Sequence, residues 1–584
     1  MREKAWPYVG SEKYLDQFRN DSRQYFNSLA VFPHNNRTRL HGLVGIYSNG
    51  TRSWTPGTMP PPIDQSPAGR DAELKDGGFY LRLSNALPLD REVPDLREDV
   101  CRRQRFALED LEDVSIVITF YNEHTSTLLR SVHSVLNNTP PPLLREIILV
   151  DDHSNVTDVA PGGYLDAYLP LLPKTKVLRL PERRGLVQAR LSGAKIAKAP
   201  IFVVLDSHIE VGQGWLEPLV KRLAESPKSV VFPQIMSLDP VTFDYRRDSG
   251  ISCFLSFKWM MQERPYFDPP KHADPVASPS MAGGLFAVRR DWFYDLGGYD
   301  EEMKMWGAEN VEMGFRYWMC GGRVECMPCS WTYHIYRHGG VGYKSPGKYI
   351  SRNRARTAIA WLGPYWQIAR EFMGKGDDKD LGPFDKVRAL KAKHNCRSFD
   401  WFLQNVDPTR YGTNYADYGM IGEVRNVGFQ NRCLDSLQQK SGGKPLGSYG
   451  CHGEKGAQGW FEIKSDHQIR NMASETICAG KDLKLTHCET KGVDDLWVTL
   501  PQFKWIAAAE DADTLKHFKR PAVDETLNNE EAETLLERFT CLGFTDDKKN
   551  LTMAPCKTGN KLIQWEFNLF KWDPDYEGPE ELLA

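Results

Sequence analysis

The sequence contains no apolar run of the roughly 18 residues that a membrane-spanning helix needs. It also lacks a strong charge of either sign, since 74 Lys and Arg residues stand against 77 Asp and Glu residues, with a formal net charge of −3. This balance gives no electrostatic reason to expect nucleic acid as a partner. We expect either a protein that is soluble throughout or the part of one that follows a membrane anchor.

Glycine-rich nucleotide-binding motifs are missing as well. Neither a G-x-G-x-x-G nor a Walker A sequence follows the first predicted strand, residues 115–120. Their absence weakens the case for a dinucleotide-binding or P-loop protein. A nucleotide site in this chain would instead be built from side chains and a metal ion.

The 12 cysteines admit two interpretations. Cys326-Met-Pro-Cys329, with Cys320 close by, could bind zinc, but no second C-x-x-C completes the usual structural site. Disulfides in the secretory pathway are favoured, and N-glycosylation sequons point the same way. These sequons begin at Asn20, Asn36, Asn49, Asn137, Asn155 and Asn550.

A chain of 584 residues exceeds the size of a single hydrophobic core, so two or more domains are expected. Residues 1–77 are rich in Pro, Asn and Gly and resemble a stem. Beyond them, apolar β-branched runs alternate with amphipathic stretches, which predicts an α/β fold with a parallel sheet covered on both faces. The predicted strands are 115–120, 146–150, 176–180 and 201–205, and the predicted helices include 164–172 and 186–197.

Each predicted strand ends in polar residues. These ends are Tyr121-Asn-Glu123, Asp151-Asp-His-Ser154, Glu182-Arg-Arg-Gly185 and Asp206-Ser-His208. Ligands of open α/β sheets lie outside the carboxyl ends of the strands, so the four ends predict one composite site. The ordinary polarity of loops would explain one or two such strand ends. It explains less well four consecutive ends that include paired carboxylates.

Asp206 and His208 follow a buried strand and project to the same face, so they can bind one metal ion together. An oxygen and a nitrogen ligand suit Mn²⁺ better than Mg²⁺, although they do not exclude Zn²⁺ or Fe²⁺. His334 is the best candidate for a third ligand, and His338 is its competitor. An isolated D-x-H motif is more often incidental, but the position of this one at the end of a buried strand favours a metal site.

Two further motifs could form a sugar pocket. The paired glycines of Met281-Ala-Gly-Gly-Leu-Phe286 allow close approach of the backbone, and Trp306-Gly-Ala-Glu-Asn310 offers a stacking face and two polar heads. Taken singly, each is as well explained by a turn or a core tryptophan. The glycine-rich stretch 338–347 could be a lid over substrate or a slack surface connection.

In their order and spacing, Asp206-Ser-His208, Met281-Ala-Gly-Gly-Leu-Phe286 and Trp306-Gly-x-Glu-Asn310 resemble the motifs of the polypeptide N-acetylgalactosaminyltransferases. The resemblance extends from about Gly78 to near the end of the chain. It implies a GT-A (Rossmann-like) catalytic domain over 78–405, a linker over 406–419, and an all-β, ricin-type β-trefoil lectin domain over 420–575. It also implies Mn²⁺, the donor UDP-GalNAc, a Ser/Thr-containing peptide or glycopeptide acceptor, and a Golgi-luminal enzyme with an N-terminal membrane anchor that lies outside this chain.

The resemblance also implies roles for individual residues. The metal ligands would be Asp206, His208 and His334. Uridine and diphosphate would be held by Thr119, Tyr121, Asp152 and Arg183, with Tyr121 standing where a His is usual. The donor-sugar and catalytic set would be Gly284, Trp306, Glu309, Asn310 and Arg337, and further substrate contacts would come from Ser207, Tyr336 and Tyr343.

The family retains the anomeric configuration, and no carboxylate nucleophile is evident in the sequence. The resemblance therefore implies that the acceptor hydroxyl attacks on the face from which UDP departs, with a phosphate oxygen accepting its proton. This chain departs from the family after Arg337, where a glycine-rich segment replaces a Phe-Pro-Gly-Gly turn, and at Ala358-Ile-Ala-Trp361, where Ala-Glu-Val-Trp is usual. These departures bear on acceptor preference.

The C-terminal part shows three repeats of a cysteine pair followed by Trp. By resemblance to a lectin, each pair closes within its repeat: Cys433–Cys451, Cys478–Cys488 and Cys541–Cys556. Only the first repeat keeps an Asp after Cys-Leu, so we expect it to bind a GalNAc-type glycan through Asp435, Tyr449 and His452. Ala457 replaces the usual Asn there, and a purely structural trefoil is the alternative.

Other features remain open in the sequence. Family pairing implies Cys101–Cys329 and Cys320–Cys396, and it leaves Cys253 and Cys326 unassigned. The acidic insertion over about 507–537 could form one helical face with Leu527, Leu535, Leu536 and Phe539. The rival functions are a GT-A transferase with another donor or acceptor, and a glycan-binding protein whose transferase half is inactive.

Overall fold

The computed structural model describes only part of the chain, and every structural statement below concerns that part. It comprises 5–7, 74, 77–265, 270, 272–338, 345–373, 381–407, 418–439, 441–453, 455–465, 467–488, 497–500, 504–509, 528–569, 572–573, 575–576 and 578–579. None of the helices in these ranges is both long enough and apolar enough to cross a bilayer.

The catalytic half is a mixed α/β domain. Its strands are β1 (Ala5–Pro7), β2 (Arg105–Ala107), β3 (Val114–Phe120), β4 (Leu144–Asp151), β5 (Thr175–Arg179), β6 (Ile201–Asp206), β7 (Ile209–Val211), β8 (Ser229–Leu238), β9 (Tyr245–Ile251), β10 (Leu255–Lys258), β11 (Gln262–Pro265), β12 (Val276–Ala277), β13 (Phe286–Arg289) and β14 (Arg323–Ile335). Its helices are α1 (Leu81–Ala86), α2 (Asp99–Arg102), α3 (Thr125–Asn138), α4 (Tyr164–Tyr168), α5 (Leu186–Ile196), α6 (Glu217–Glu225), α7 (Arg290–Asp295), α8 (Glu309–Met319), α9 (Gly347–Trp361), α10 (Trp366–Phe372), α11 (Asp385–His394) and α12 (Phe399–Asn405).

A ten-stranded sheet runs in the order β12-β14-β8-β13-β6-β3-β4-β5, with β7 paired to β14 and β9 to β8. Strands β6, β3, β4 and β5 are parallel neighbours, and they cover the four segments predicted as strands. All seven residues of β3 are buried, as expected for a strand covered on both faces. The α/β prediction is confirmed.

Side chains of β3 alternate between two cores. Val117 belongs to the core that also holds Phe202, whereas Ile116 and Ile118 belong to the core that is covered by α3. Helix α5 lies close to the sheet at Gly193, where a Cβ atom would fall 2.4 Å from Val117 Cγ1. The predicted helix 164–172 is shorter than expected, since α4 ends at Tyr168 and a 3₁₀ turn containing Pro170 follows.

Three disulfides converge on one segment of the catalytic half. Cys101 is joined to Cys329 and Cys320 to Cys396, the two pairings that the resemblance implies. The two cysteines left unassigned from sequence, Cys253 and Cys326, are joined to each other. Because Cys326 and Cys329 belong to different disulfides, the C-x-x-C motif is not a zinc site.

The C-terminal half is built from antiparallel strands. They are β15 (Tyr418–Asn426), β16 (Arg432–Asp435), β17 (Gly447–Gly450), β18 (Gly459–Ile463), β19 (Gln468–Asn471), β20 (Ile477–Ala479), β21 (Leu485–His487), β22 (Trp497–Leu500), β23 (Trp505–Ala509), β24 (Phe539–Phe544), β25 (Leu551–Pro555) and β26 (Trp565–Leu569), with one helix, α13 (Asn529–Leu535), among the described residues. Each repeat contains its own disulfide: Cys433–Cys451, Cys478–Cys488 and Cys541–Cys556.

One contact recurs in all three repeats. A fully buried tryptophan donates its indole N–H to the backbone carbonyl of the residue that follows the first cysteine of the repeat. The pairs are Trp460 with Leu434 at 3.0 Å, Trp497 with Ala479 at 2.8 Å, and Trp565 with Leu542 at 2.8 Å. The repeat predicted from cysteine and tryptophan spacing therefore rests on a repeated hydrogen bond in the core.

Part of the acidic insertion is helical. Helix α13 begins with a capping box formed by Asn528 and Glu531. Leu536 and Phe539 pack with Ala532 in a small core, but they do not form the expected helical face, because α13 ends at Leu535 and Phe539 begins β24. Leu535 is only partly buried. Leu527 lies outside the described residues.

The two halves share a packed interface. Phe372 of α10 contacts Phe461 of β18, with ring centroids 5.0 Å apart. Nearby, Lys455 pairs with Glu371 at 3.1 Å, and Glu475 accepts a hydrogen bond from the Trp259 backbone N–H at 3.2 Å. The apolar cluster that holds the core of the catalytic half therefore continues into the first strands of the trefoil.

Glu217 is a fully buried carboxyl group at the first position of α6. Neither side-chain oxygen has a hydrogen-bond partner among the described residues. Burial raises the pKa of Glu217 to about 7 from an ordinary value of 4.5. The folded protein therefore keeps this proton between about pH 4.5 and 7, where the unfolded chain loses it, and the free energy of unfolding falls as the pH rises.

We predict that Glu217→Gln is more stable than the wild type at pH 8 and equally stable near pH 4. The shift from 4.5 to about 7, at about 1.4 kcal/mol per pH unit, sets an upper limit of about 3 kcal/mol on the gain. Melting temperatures at both pH values test this, with Glu225→Gln on the exposed face of the same helix as control. An equal effect at the two pH values would contradict the prediction.

Candidate active site

The site lies where β3, β6 and β14 end, and the buried carboxylate of Glu123 connects them. Its Oε2 atom lies 2.9 Å from His208 Nδ1 and accepts a hydrogen bond from the Ser207 hydroxyl at 2.9 Å. Its Oε1 atom accepts from the Arg337 guanidinium at 2.5 Å and from the His124 backbone N–H at 2.9 Å. Ser207, expected to bind substrate, thus has its hydroxyl directed to this carboxylate.

The three predicted metal ligands come together around one point. Potential ligand atoms of Asp206, His208 and His334 all lie within 4.8 Å of one another. Strand β7 pairs antiparallel with β14 and sets His334 opposite Ile209, directly after His208. The competitor, His338, is exposed and does not belong to this group.

Electrostatics prepare these groups to bind a cation. Burial alone would raise the pKa of Asp206, but its hydrogen bond with His334 and the charge of Arg190 lower it. Burial lowers the pKa of His334, which favours the neutral imidazole that a metal requires. Because His208 Nδ1 faces Glu123, its Nε2 is left for the metal, the usual orienting role of a carboxylate behind a histidine ligand. The donor set fits a Mn²⁺ ion.

The predicted sugar pocket adjoins the metal site through two glycines. A Cβ atom on Gly284 would fall 2.0 Å from Asp206 Oδ2, and one on Gly283 would fall 2.7 Å from Asn310 Cβ. Only glycine allows the backbone to lie this close to both groups. Trp306, which precedes Glu309 and Asn310 in the chain, is 39% exposed and leaves a face for a ligand.

Glu309 and Asn310 begin α8, directly after Ala308 in a left-handed conformation with φ 67°. Glu309 Oε2 accepts from the Gly307 N–H at 2.8 Å, and Asn310 Nδ2 donates to the Met281 carbonyl at 2.9 Å. These bonds fix the side chains of Glu309 and Asn310 at the N-terminus of α8. Burial raises the pKa of Glu309, and the charge of Arg190 opposes that rise.

Arg190 joins the two parts of the site, and sequence reasoning missed it. Its guanidinium lies 3.2 Å from Asp206 and 3.6 Å from Glu309, and the side chain is buried. It comes from the middle of α5, where an arginine in a helix gives no signal of its own. Glu123 was also missed, although it is the last residue of Tyr121-Asn-Glu123, one of the polar segments that predicted the site.

The residues expected at the nucleotide lie at the ends of β3, β4 and β5, which are on the opposite side of β6 from β13 in the sheet. The Thr119 hydroxyl is buried without a hydrogen-bond partner among the described residues, as a group awaiting a ligand would be. The Arg183 guanidinium lies 3.9 Å from the centroid of the Tyr121 ring. Asp152 is engaged by the protein itself, since it accepts from the backbone N–H groups of Arg184 and Gly185 at 2.7 and 2.9 Å.

Tyr336 and Tyr343 were also expected to contact substrate. The Tyr336 ring is partly exposed, and its centroid lies 4.6 Å from that of His334, so it borders the metal site. Tyr343 lies outside the described residues, as does most of the glycine-rich stretch 338–347.

The first lectin repeat presents a second candidate site. Asp435 is buried and accepts from Gln458 Nε2 at 3.0 Å and from the Leu437 N–H at 2.6 Å. Gln458 Oε1 in turn accepts from the His452 backbone N–H at 3.2 Å. Tyr449 is 63% exposed, which offers an aromatic face to a ligand. Gln458 was not among the predicted residues, and it holds the predicted ones in place.

A metal triad beside a glycine-lined pocket, on a GT-A-like sheet joined to a β-trefoil, defines a glycosyltransferase with a lectin domain. The sequence matches the models for Glycosyl transferase family 2 over residues 115–297, Ricin-type beta-trefoil lectin domain over 420–519, and N-terminal domain of galactosyltransferase over 270–339.

Similar proteins agree with this class. N-acetylgalactosaminyltransferase 6 of Drosophila melanogaster is 34% identical over 531 residues, which cover 86% of this chain and 74% of that protein. Human Polypeptide N-acetylgalactosaminyltransferase 3 is 38% identical over 444 residues, 71% of this chain and 68% of that protein. The crystal structure of GalNAc-T7 with UDP, GalNAc and Mn²⁺ superimposes with a TM-score of 0.68 at 28% identity and covers 89% of this chain and 93% of that one.

The chain therefore belongs to the polypeptide N-acetylgalactosaminyltransferase family. It is a glycosyltransferase, and the group formed by Asp206, His208 and His334 is its candidate metal site.

We predict that Glu123→Gln weakens Mn²⁺ binding by about 10–100-fold, because His208 loses the carboxylate that orients it. Titration of Mn²⁺ in the presence of UDP measures the effect. Glu301→Gln, which removes a surface carboxylate, is the matched control. Unchanged Mn²⁺ affinity in Glu123→Gln would show that this carboxylate does not orient the ligand.

Proposed function

We propose that this enzyme moves GalNAc from UDP-GalNAc to Ser and Thr hydroxyls of polypeptides, with retention of configuration, and so begins mucin-type O-glycosylation. The observation that carries the proposal is the contact between the metal triad and the sugar pocket, where Gly284 lies against Asp206. Two relatives that are named as N-acetylgalactosaminyltransferases align with more than two thirds of this chain and of their own length. One of the superimposed proteins was crystallised with UDP, GalNAc and Mn²⁺.

Departure of UDP leaves negative charge on the diphosphate. Asp206, His208 and His334 would hold Mn²⁺, which would supply Lewis-acid stabilisation of that charge. Arg337 adds a second positive charge beside the metal ligands, and its hydrogen bond to Glu123 fixes the guanidinium before substrate arrives. Tyr121 and Arg183, in contact with each other, hold the uridine end.

Glu309 and Asn310 orient the transferred sugar. Both side chains are held by backbone hydrogen bonds, so they meet the sugar hydroxyls without rearrangement. Asp206 is directed to Arg190 and His334, and Glu309 to Gly307 and Arg190, so both carboxylates already have partners. This supports attack by the acceptor hydroxyl on the face from which UDP departs, with a phosphate oxygen accepting the proton.

The lectin domain gives the enzyme a preference for acceptors that already carry GalNAc. Support comes from the first repeat, where Asp435 is pre-oriented by Gln458 and Tyr449 is exposed beside it. The packed interface around Phe372 and Phe461 holds this repeat against the catalytic half. The six disulfides fit an oxidising compartment, and we place the enzyme in the Golgi lumen.

We expect Mn²⁺-dependent transfer of GalNAc from UDP-GalNAc to a Thr-rich peptide. EDTA abolishes it, and Asp206→Ala or His208→Ala lowers it at least about 100-fold, because each substitution removes a metal ligand. The anomeric configuration of the product, read by NMR, tests retention. A folded protein that binds UDP-GalNAc and transfers nothing to any peptide would favour the glycan-binding alternative.

A second expectation concerns the lectin domain. Asp435→Ala should reduce the preference for a GalNAc-bearing peptide over the bare one severalfold and leave transfer to the bare peptide unchanged, because Asp435 lies in the trefoil. The ratio of kcat/KM for the two peptides measures this. The matched control removes Asp482, an exposed Asp of the second repeat, as Asp482→Ala. An unchanged ratio in Asp435→Ala would leave the trefoil with a structural role.

A further inference from the structure

Among the described residues, Arg354 is a cation without an ion-pair partner, and it lies beside the sugar pocket. Its Nε atom is buried and makes no hydrogen bond, and no carboxylate oxygen of the described part of the chain lies within 4.0 Å of its guanidinium. Burial lowers the pKa of Arg354, while the charge of Glu263 opposes that change. The Arg354 side chain is partly buried, and its buried Nε–H has no acceptor among the described residues. A buried donor without an acceptor is costly, and such groups call for a ligand.

Helix geometry directs Arg354 towards the pocket. Arg354 lies one turn beyond Ile350 in α9, so the two side chains share one face of that helix. A Cβ atom on Gly307 would fall 3.4 Å from Ile350 Cγ2, which shows that this face packs against the loop before Glu309. Arg354 therefore approaches the beginning of α8, where Glu309 and Asn310 stand.

Glu263 reaches the same place from the β10–β11 hairpin. Its Oε2 atom accepts from Asn310 Nδ2 at 3.3 Å, and its charge raises the pKa of Glu309. Arg354 and Glu263 interact electrostatically, yet their charged atoms are not within 4.0 Å of each other. The two charged groups are therefore separated by more than the ion-pair distance, and Asn310 contacts Glu263. We call the space between Arg354 and Glu263 the gap.

The chemistry of the pair selects its ligand. Arg354 can only donate hydrogen bonds and an ionised Glu263 can only accept them. A carboxylate in the gap would satisfy Arg354 and be repelled by Glu263, and an ammonium group would do the reverse. A hydroxyl group satisfies both, because it accepts from the guanidinium and donates to the carboxylate.

We propose that Glu263 and Arg354 form a hydroxyl-binding subsite for an N-acetylhexosamine, adjoining the pocket of Glu309 and Asn310. The subsite rests on the proposed function, since the sugar is either the GalNAc of the donor or a GalNAc already attached to the acceptor. Both sources offer the same hydroxyl chemistry. Glu263 and Arg354 lie outside the set of residues that the family motifs point to, and they would set how tightly the sugar is held.

Binding measurements separate the two sources without any need for catalysis. Calorimetry with Mn²⁺ compares UDP with UDP-GalNAc for the wild type, Arg354→Gln and Glu263→Gln. A second arm, in an Asp435→Ala background to silence the lectin site, measures a GalNAc-bearing peptide against the bare peptide in the presence of UDP and Mn²⁺. Arg145→Gln and Asp113→Asn, which break an ion pair on the surface, are the matched controls.

We expect each variant to weaken one sugar ligand by about tenfold, the effect of losing a hydrogen bond to a charged group, and to leave UDP and the bare peptide unaffected. A loss confined to UDP-GalNAc assigns the donor sugar, and one confined to the glycopeptide assigns the acceptor sugar. The double variant should weaken binding no more than about twofold beyond either single one, because both bonds end on one hydroxyl.

Two outcomes would overturn the subsite. Unchanged affinities for both sugar ligands would show that the pair contacts no sugar. A lower melting temperature of both single variants without ligand, accompanied by equal losses for UDP and UDP-GalNAc, would show that Arg354 and Glu263 only support the fold. The transfer assay is independent of these results, so failure of the subsite and failure of the proposed function can be told apart.

Discussion

The site depends on one buried carboxylate. Glu123 follows β3, yet it binds His208 after β6 and Arg337 after β14, so three separate stretches of chain are fixed by the two oxygens of one side chain. Burial would ordinarily raise the pKa of a carboxyl group, but the charges of Arg337 and His208 lower that of Glu123 well below its ordinary value. The negative charge is thus kept in the interior, where it holds His208, a candidate metal ligand, and the Arg337 guanidinium in fixed positions.

Arg190 has a similar connecting role between Asp206 and Glu309. Its guanidinium stands between Asp206, a candidate metal ligand, and Glu309, a proposed sugar contact, so neither carboxylate is buried without a countercharge. Glu123 and Arg190 therefore position different parts of the site. Glu123 fixes His208 relative to Arg337, and Arg190 connects Asp206 to Glu309.

Sequence patterns predicted the sheet because β3 and β6 are continuous apolar runs, and the metal ligands because Asp206 and His208 end such a run. The family motifs supplied the residues of the sugar pocket. What remained hidden came from the packing of distant segments: Arg190 lies inside a helix, Glu263 in a hairpin, and Gln458 beside a glycine-rich turn. None of these positions carries a local signal, since each acquires its role only when its neighbours in space are known. Cys253, between β9 and β10, and Cys326, in β14, were likewise left unassigned until these segments were placed beside each other.

Three disulfides converge on the segment from Cys320 to Cys329, and this bears on the position of a candidate metal ligand. That segment runs into β14, the strand that delivers His334 to the metal and leads to Arg337. Each disulfide joins this segment to a distant part of the chain, at Cys101, Cys253 and Cys396, although no cysteine belongs to the candidate metal site. The start of the strand that carries His334 is therefore fastened covalently to three other segments, in addition to its pairing with β8 in the sheet.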